Sequence, residues 1–300
     1  MNYEHTLLHL ARQNSRLIIL TAENRGPIRS FAEELPDRFV DAGIAEQSLA
    51  GTAAGLALRG RIPIVHCLAA FITMRAYEFV RTDIGYPSLP VKIMGTIPGF
   101  LSEANGPTHQ AVEDIALMRT IPSMNIFCPA DEQELCEALP VVLESKSPFY
   151  IRFNALPTSI SHTHKVEIGK SERLTEGTDI TILTYGMLTG SVYEAALKLI
   201  EAGISVNLIN MRFVRPLDEN AVLHAARTTC MLITIEDHIP TGGLFTAVAE
   251  LLVKENVRTP LQQIALKKTW FKPLLLPGLL EHEGFTGDQL ADEITGMLSE

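Results

Sequence analysis

The chain is poor in cysteine and has no pattern that would put it to use. Its four cysteines, Cys67, Cys128, Cys136 and Cys230, never form a CxxC pair, which argues against a disulfide framework and the common zinc spacings. They sit in apolar stretches, so buried free thiols are the expectation. The nine histidines show no HExxH pattern, and His162 and His164 fall in the polar run SHTHKVE, which reads as an exposed linker. P-loop, GxGxxG and GxSxG signatures are absent, which removes the standard nucleotide-binding and hydrolase assignments. No apolar run approaches the ~20 residues that span a bilayer. The opening MNYEHTLLHLARQNSRL has no signal-peptide layout, so a soluble, cytoplasmic protein is the expectation.

Positive charge is short as well. Lys and Arg number 25 against 35 Asp and Glu, a net charge of −10, which argues against a general nucleic-acid binder, because neutralising phosphates takes a basic face. Anionic membrane surfaces are disfavoured for the same reason. What is present is ordinary globular composition: 300 residues, 46% hydrophobic and 20% charged. That is too apolar for disorder and long enough for two domains of roughly 150 residues.

Short β-branched runs alternate with helical patterns throughout. Strands are expected at 16–20, 62–67, 90–95, 125–128 and 148–153, then at 179–185, 204–210, 230–236 and 260–266. Helical patterns fall at about 45–59, 72–84, 110–119, 131–145, 189–202, 218–228, 243–255 and 286–299. This alternation predicts an α/β fold of two domains, each a mostly parallel sheet covered by helices. Continuous apolar strands such as RLIIL fit burial on both faces. The register breaks in a polar stretch, giving a domain over 1–155, a linker over 156–178 and a second domain over 179–300.

Ligands in open parallel sheets sit beyond the carboxyl ends of strands. Three segments of the first domain stand there. In RFVDAGIAEQSLAGTAAGLALRG a short strand turns at Gly43 into an Ala/Gly-rich helix opened by Glu46, although a first-turn glutamate also complements the helix dipole without any function. In HCLAAFITMRAYEFVRTDIGYP, Phe71 follows the strand, either as core or as a ligand platform. Arg75, Glu78 and Arg81 read as a solvated face. In GFLSEANGPTHQAVEDIALMRTIP a long loop ends at Gly106 and Pro107, presenting His109 at a helix N-terminus, where a histidine can exchange protons near neutral pH or simply cap the helix.

Together, DAGIAEQSLAGTAAGLA, NGPTHQ, PADEQE, NMRFVRPLD and EDHIPTGGLFTAVAE resemble the C-terminal half of transketolase over nearly the whole chain. The resemblance implies a pyrimidine-binding domain followed by the family's C-terminal domain, and thiamine diphosphate as cofactor. By position, Glu46 matches the glutamate that hydrogen-bonds the N1′ ring nitrogen of the aminopyrimidine, and Phe71 the aromatic that stacks on that ring. His109 matches the substrate-facing histidine of the family's DGPTHQ motif. Arg152 resembles the arginine that holds a sugar phosphate, a task suited to its bidentate fork. The motif's aspartate is Asn105 here, the family's other active-site histidine falls on Ile97, and two flanking aromatics fall on Leu68 and Met74.

The family holds Mg²⁺ and the cofactor diphosphate through a GDG…N motif in its other half, and no such segment occurs here. The resemblance therefore implies one subunit of a split transketolase, active only with an N-terminal partner subunit, in an α2β2 heterotetramer acting on sugar phosphates. The C-terminal domain, with no matched catalytic residue, reads as structural. The competing readings are the β subunit of a 2-oxo acid dehydrogenase, against which GPTHQ argues, a 1-deoxyxylulose-5-phosphate synthase-like enzyme, and a non-catalytic scaffolding subunit.

Overall fold

The computed structural model describes residues 2–299 apart from 159, 163, 164, 268 and 269. In the first half the strands are β1 Leu17–Thr21, β2 Phe39–Asp41, β3 Ile62–Leu68, β4 Lys92–Thr96, β5 Asn125–Phe127 and β6 Phe149–Arg152. The second half has β7 Glu172–Arg173, β8 Ile180–Thr184, β9 Val206–Asn210, β10 Phe213–Arg215, β11 Met231–Ile235 and β12 Leu261–Ile264. They form one sheet in the order β10-β5-β6-β4-β3-β1-β2 and another in the order β12-β11-β8-β9-β7. All pairings are parallel except those of β10 and β7, each at an edge. Every residue of β1, β4, β6, β8 and β9 is buried, as continuous apolar runs require when helices cover both faces. The expected fold class, two helix-covered and mostly parallel sheets, is what is observed.

Two strands have no strong sequence signal. β7 lies inside the stretch expected to be linker, where it pairs with β9. β10, only three residues long, leaves the second half and adds to β5 of the first sheet, its Phe213 ring 4.9 Å from Phe127. The run FVR is too short to stand out by period. Its partner strand supplies the reason it is extended.

The linker reading of His162 is corrected by packing: its side chain is 1% exposed and sits between Asp131 and Glu172, at 3.0 and 2.7 Å. His164 lies outside the described residues. Arg212, fully enclosed, pairs with Glu134 and, at 2.8 Å, with Glu172. Two cations and three carboxylates thus join the helix Glu132–Glu144, the connecting stretch and the second sheet. The thiols also divide: Cys67 and Cys128 are buried, Cys136 is partly so, and Cys230 is exposed.

Candidate active site

β2 ends at Asp41, whose Oδ1 accepts from the Gly43 amide at 2.9 Å. Gly43 has φ 66°, a conformation glycine adopts without strain, and the chain turns there into the helix Glu46–Leu58. Glu46 is the first residue of that helix and is 2% exposed. Arg75 donates from Nη1 to Glu46 Oε2 at 2.9 Å, so the carboxylate is buried with a cation beside it.

β3 runs into a π-helical turn, Phe71–Arg75, in which the Ala76 amide reaches back five residues to the Phe71 carbonyl at 3.1 Å. Such insertions recur at functional sites because they re-aim side chains. Here the turn sets the Arg75 guanidinium 4.4 Å above the Phe71 ring. The His109 ring meets Phe71 edge-on, 5.1 Å between centroids at 62°. Glu46, Arg75, Phe71 and His109 therefore form one contiguous cluster. Arg75, read from sequence as part of a solvated face, was the member missed. Its spacing of four from Phe71 was the available signal.

His109 sits in the turn closed by its amide on the Gly106 carbonyl at 3.0 Å, and its Nδ1 lies 2.9 Å from Thr108 Oγ1. The following helix starts only at Asp114, so His109 is a loop residue and not a helix-terminal one. Asn105 is exposed, and its Nδ2 donates to the Ser102 carbonyl at 2.7 Å. The second domain holds this loop in place. Phe100 N donates to Asp237 Oδ2 at 3.2 Å, Gln110 Nε2 to the Phe271 carbonyl at 2.8 Å, and Leu276 N to Glu103 Oε1 at 2.9 Å.

Arg152 requires a correction. It is 3% exposed; Nε donates to Asp114 Oδ2 at 3.0 Å, Nη1 donates to Asp237 Oδ1, and the guanidinium lies 5.6 Å from the Tyr185 ring. Burial disfavours its charge, but Asp114 and Asp237 more than compensate, leaving its pKa well above the ordinary value. The fork is spent on bridging the two domains, so it is not free to hold a phosphate.

Adjoining the cluster in sequence is a cavity of about 600 Å³ over the carboxyl ends of β1, β3, β4 and β6. Leu68, Ile97 and Glu103 line it, three residues before Phe71 in the first case and six before His109 in the last.

The transketolase pyrimidine-binding domain model matches residues 2–156 and the transketolase C-terminal domain model matches residues 169–290. The 6-deoxy-6-sulfo-D-fructose transketolase subunit of Clostridium sp. (strain MSTE9) is 35% identical, over 98% of this chain and 93% of the relative. An apulose-4-phosphate transketolase subunit of Phocaeicola vulgatus is 36% identical, over 85% of this chain and 84% of the relative. A solved split-gene transketolase, an inactive β4 tetramer, superposes with a TM-score of 0.86 at 34% identity, covering 99% of this chain and 96% of that one. The residues at the strand ends, the two domains and these relatives agree: the chain belongs to the transketolase family, as its pyrimidine-binding and C-terminal domains.

Proposed function

We propose that this chain is the C-terminal subunit of a two-chain, thiamine-diphosphate-dependent transketolase, which moves a two-carbon ketol unit between sugars. The observation that carries the reading is the single cluster of buried Glu46, half-buried Phe71 and loop-borne His109 beyond the sheet. These residues fit an aminopyrimidine: a carboxylate for a ring nitrogen, an aromatic ring for a flat heterocycle, and an imidazole beside them. When bound, thiamine diphosphate supplies an electron sink for the two-carbon unit. Glu46 holds a proton at the N1′ nitrogen, Phe71 orients the ring, and His109 exchanges a proton with a sugar hydroxyl. Asn105, its Nδ2 engaged by Ser102, keeps a carbonyl oxygen to accept from another hydroxyl.

The Mg²⁺ and the diphosphate belong to the partner in this reading. Among the described residues, one set of His and carboxylate groups has metal-like spacing, Glu134, His162 and Glu172. The Arg212 guanidinium bridges those carboxylates and supplies the positive charge there. The partner is an N-terminal subunit with the diphosphate-binding domain, two copies of each chain making an α2β2 heterotetramer.

Reconstitution with a chain carrying GDG and a downstream Asn tests the assignment. Ketol transfer is expected only with both chains, and transfer by this chain alone overturns it. Condensation of pyruvate with an aldehyde phosphate, instead of ketol transfer, would move the assignment to the synthase reading; relatives of that name are 33–37% identical, but the chain spans less than half their length.

A further inference from the structure

We infer that Asp237, in the second domain, is a positioning residue for the reaction: it fixes the loop that carries His109, so the second domain takes part in sugar binding and not in folding alone. The inference rests on the transketolase reading above and adds a residue to that site.

The loop holds a conformation that its own residues resist. Ile97 is at φ 49° and Glu103 at φ 45°, a region unfavourable to any residue with a Cβ, so surrounding structure must impose it. Within the loop, Gly99 N donates to the Ala111 carbonyl at 2.9 Å, which ties its two ends together. Further anchors come from the second domain. The Phe100 amide donates to Asp237 Oδ2 at 3.2 Å, the Leu276 amide to Glu103 Oε1 at 2.9 Å, and the Ile239 amide to the Val112 carbonyl at 2.9 Å. The Phe100 ring also packs edge-on against Phe271 and Phe285, with centroids 5.1 and 5.0 Å away.

Among these anchors Asp237 is the fully buried charge, and it acts where the loop ends are tied. Its Oδ1 accepts from Arg152 Nη1 while Oδ2 accepts from Phe100, so the carboxylate cannot turn without breaking one of the two bonds. A shift at Phe100 passes through the Gly99–Ala111 bond to the other end of the loop, where His109 stands two residues before Ala111. His109 would then leave its contact with Phe71, and small displacements of a group that faces substrate are costly. The adjacent Glu236 is just as buried but serves another element: its carboxylate accepts from the Leu244 and Phe245 amides at 2.8 and 3.1 Å, at the start of the helix Leu244–Lys254.

The two neighbours make the test. An asparagine at 237 keeps its one oxygen for the charged donor, Arg152, which makes the stronger bond, and turns its NH2 toward the Phe100 amide. In the co-purified two-chain enzyme, with hydroxypyruvate as donor and D-glyceraldehyde 3-phosphate as acceptor, Asp237→Asn is expected to raise both KM values about fivefold or more. Hydrogen exchange at the cofactor C2 carbon, which depends on Glu46 and not on His109, is expected to stay within about twofold of the unaltered enzyme. Glu236→Gln is expected to lower the thermal midpoint comparably and to leave both KM values within about twofold. Unchanged KM values in Asp237→Asn overturn the inference, and so does an equal rise in Glu236→Gln, which would mean a generally loosened domain. Should Asp237→Asn fail to assemble, amide exchange in the unaltered complex decides: the Phe100 peptide is expected to exchange as slowly as β4, and rapid exchange there overturns the anchor. Absence of ketol transfer by the unaltered enzyme fells the transketolase reading itself, and the inference with it.

Discussion

Glu46 is buried at the start of its helix because the backbone turns there, and the proposed role follows from that position. A glutamine in its place still hydrogen-bonds a ring nitrogen but cannot supply an acidic proton, so Glu46→Gln is expected to leave most cofactor affinity and lower kcat by about 10²-fold or more in the two-chain enzyme. Hydrogen–deuterium exchange at the cofactor C2 carbon, read by NMR, checks it; exchange at the wild-type rate sinks the assignment. His109→Ala should behave in the opposite sense, with C2 exchange retained and ketol transfer lost. Arg152 is expected to matter for stability instead of substrate. Its removal leaves Asp114 and Asp237 buried without a cation, so Arg152→Ala should cost about 3–5 kcal/mol by chemical denaturation. Glu46 and Phe71 stand out in the sequence because each lies a few residues past a strand end, and His109 because it closes a long loop, and the structure brings the three together. Arg152 was misread because a strand-end arginine looks the same in sequence whether it faces a ligand or two carboxylates brought from 38 residues upstream and 85 downstream. Only the packing of the two domains distinguishes them.

The loop 99–110 and the stretch around His162 are elements whose geometry comes from both halves of the chain. Gly99 has φ 51°, and a Cβ there would stand 1.9 Å from Asp237 Oδ2 and 2.5 Å from Arg152 Nη2. Gly99→Ala is therefore expected to displace the loop that carries His109. The conformation alone costs about 1–3 kcal/mol, and a drop in thermal midpoint together with a raised KM for the sugar would register it. At His162, burial works against the charge, but hydrogen bonds to Asp131 and Glu172 prevail and push the pKa up to about 10. A pKa raised in the folded state contributes fully below its unfolded value of 6.5 and is lost as pH climbs through about 10. Unfolding midpoints should fall between those limits, and His162→Asn should flatten the slope; an equal slope in the variant refutes this clamp. The regular strands were legible because apolar runs mark them. β7 and β10 were not, since two or three residues carry no period and the pairing that makes them extended comes from afar.

Across the molecule, charged clusters and one crossing strand tie the two sheets together. Scanning calorimetry is expected to give one unfolding transition and not two, because a single hydrophobic cluster joins Ile93 and Ile126 of the first half to Met211 and Val214 of the second. Ile44, Leu58, Met74, Phe79 and Tyr86 are large and exposed on or beside the helix Glu46–Leu58 and the segment packed against it. These exposed apolar side chains are where association is expected. Light scattering of the co-purified chains should report two of each; a one-to-one dimer with full activity would contradict it. The placement of β10 bears on how the chain can be divided as well as on stability. If the coding sequence were divided between residues 156 and 171, the upstream product would carry β5 with its outer edge bare, a row of unpaired amides and carbonyls ready to recruit any passing strand. Dividing the chain at that boundary is therefore expected to release an aggregation-prone upstream fragment, with a cost that no contact inside the first half alone could reveal.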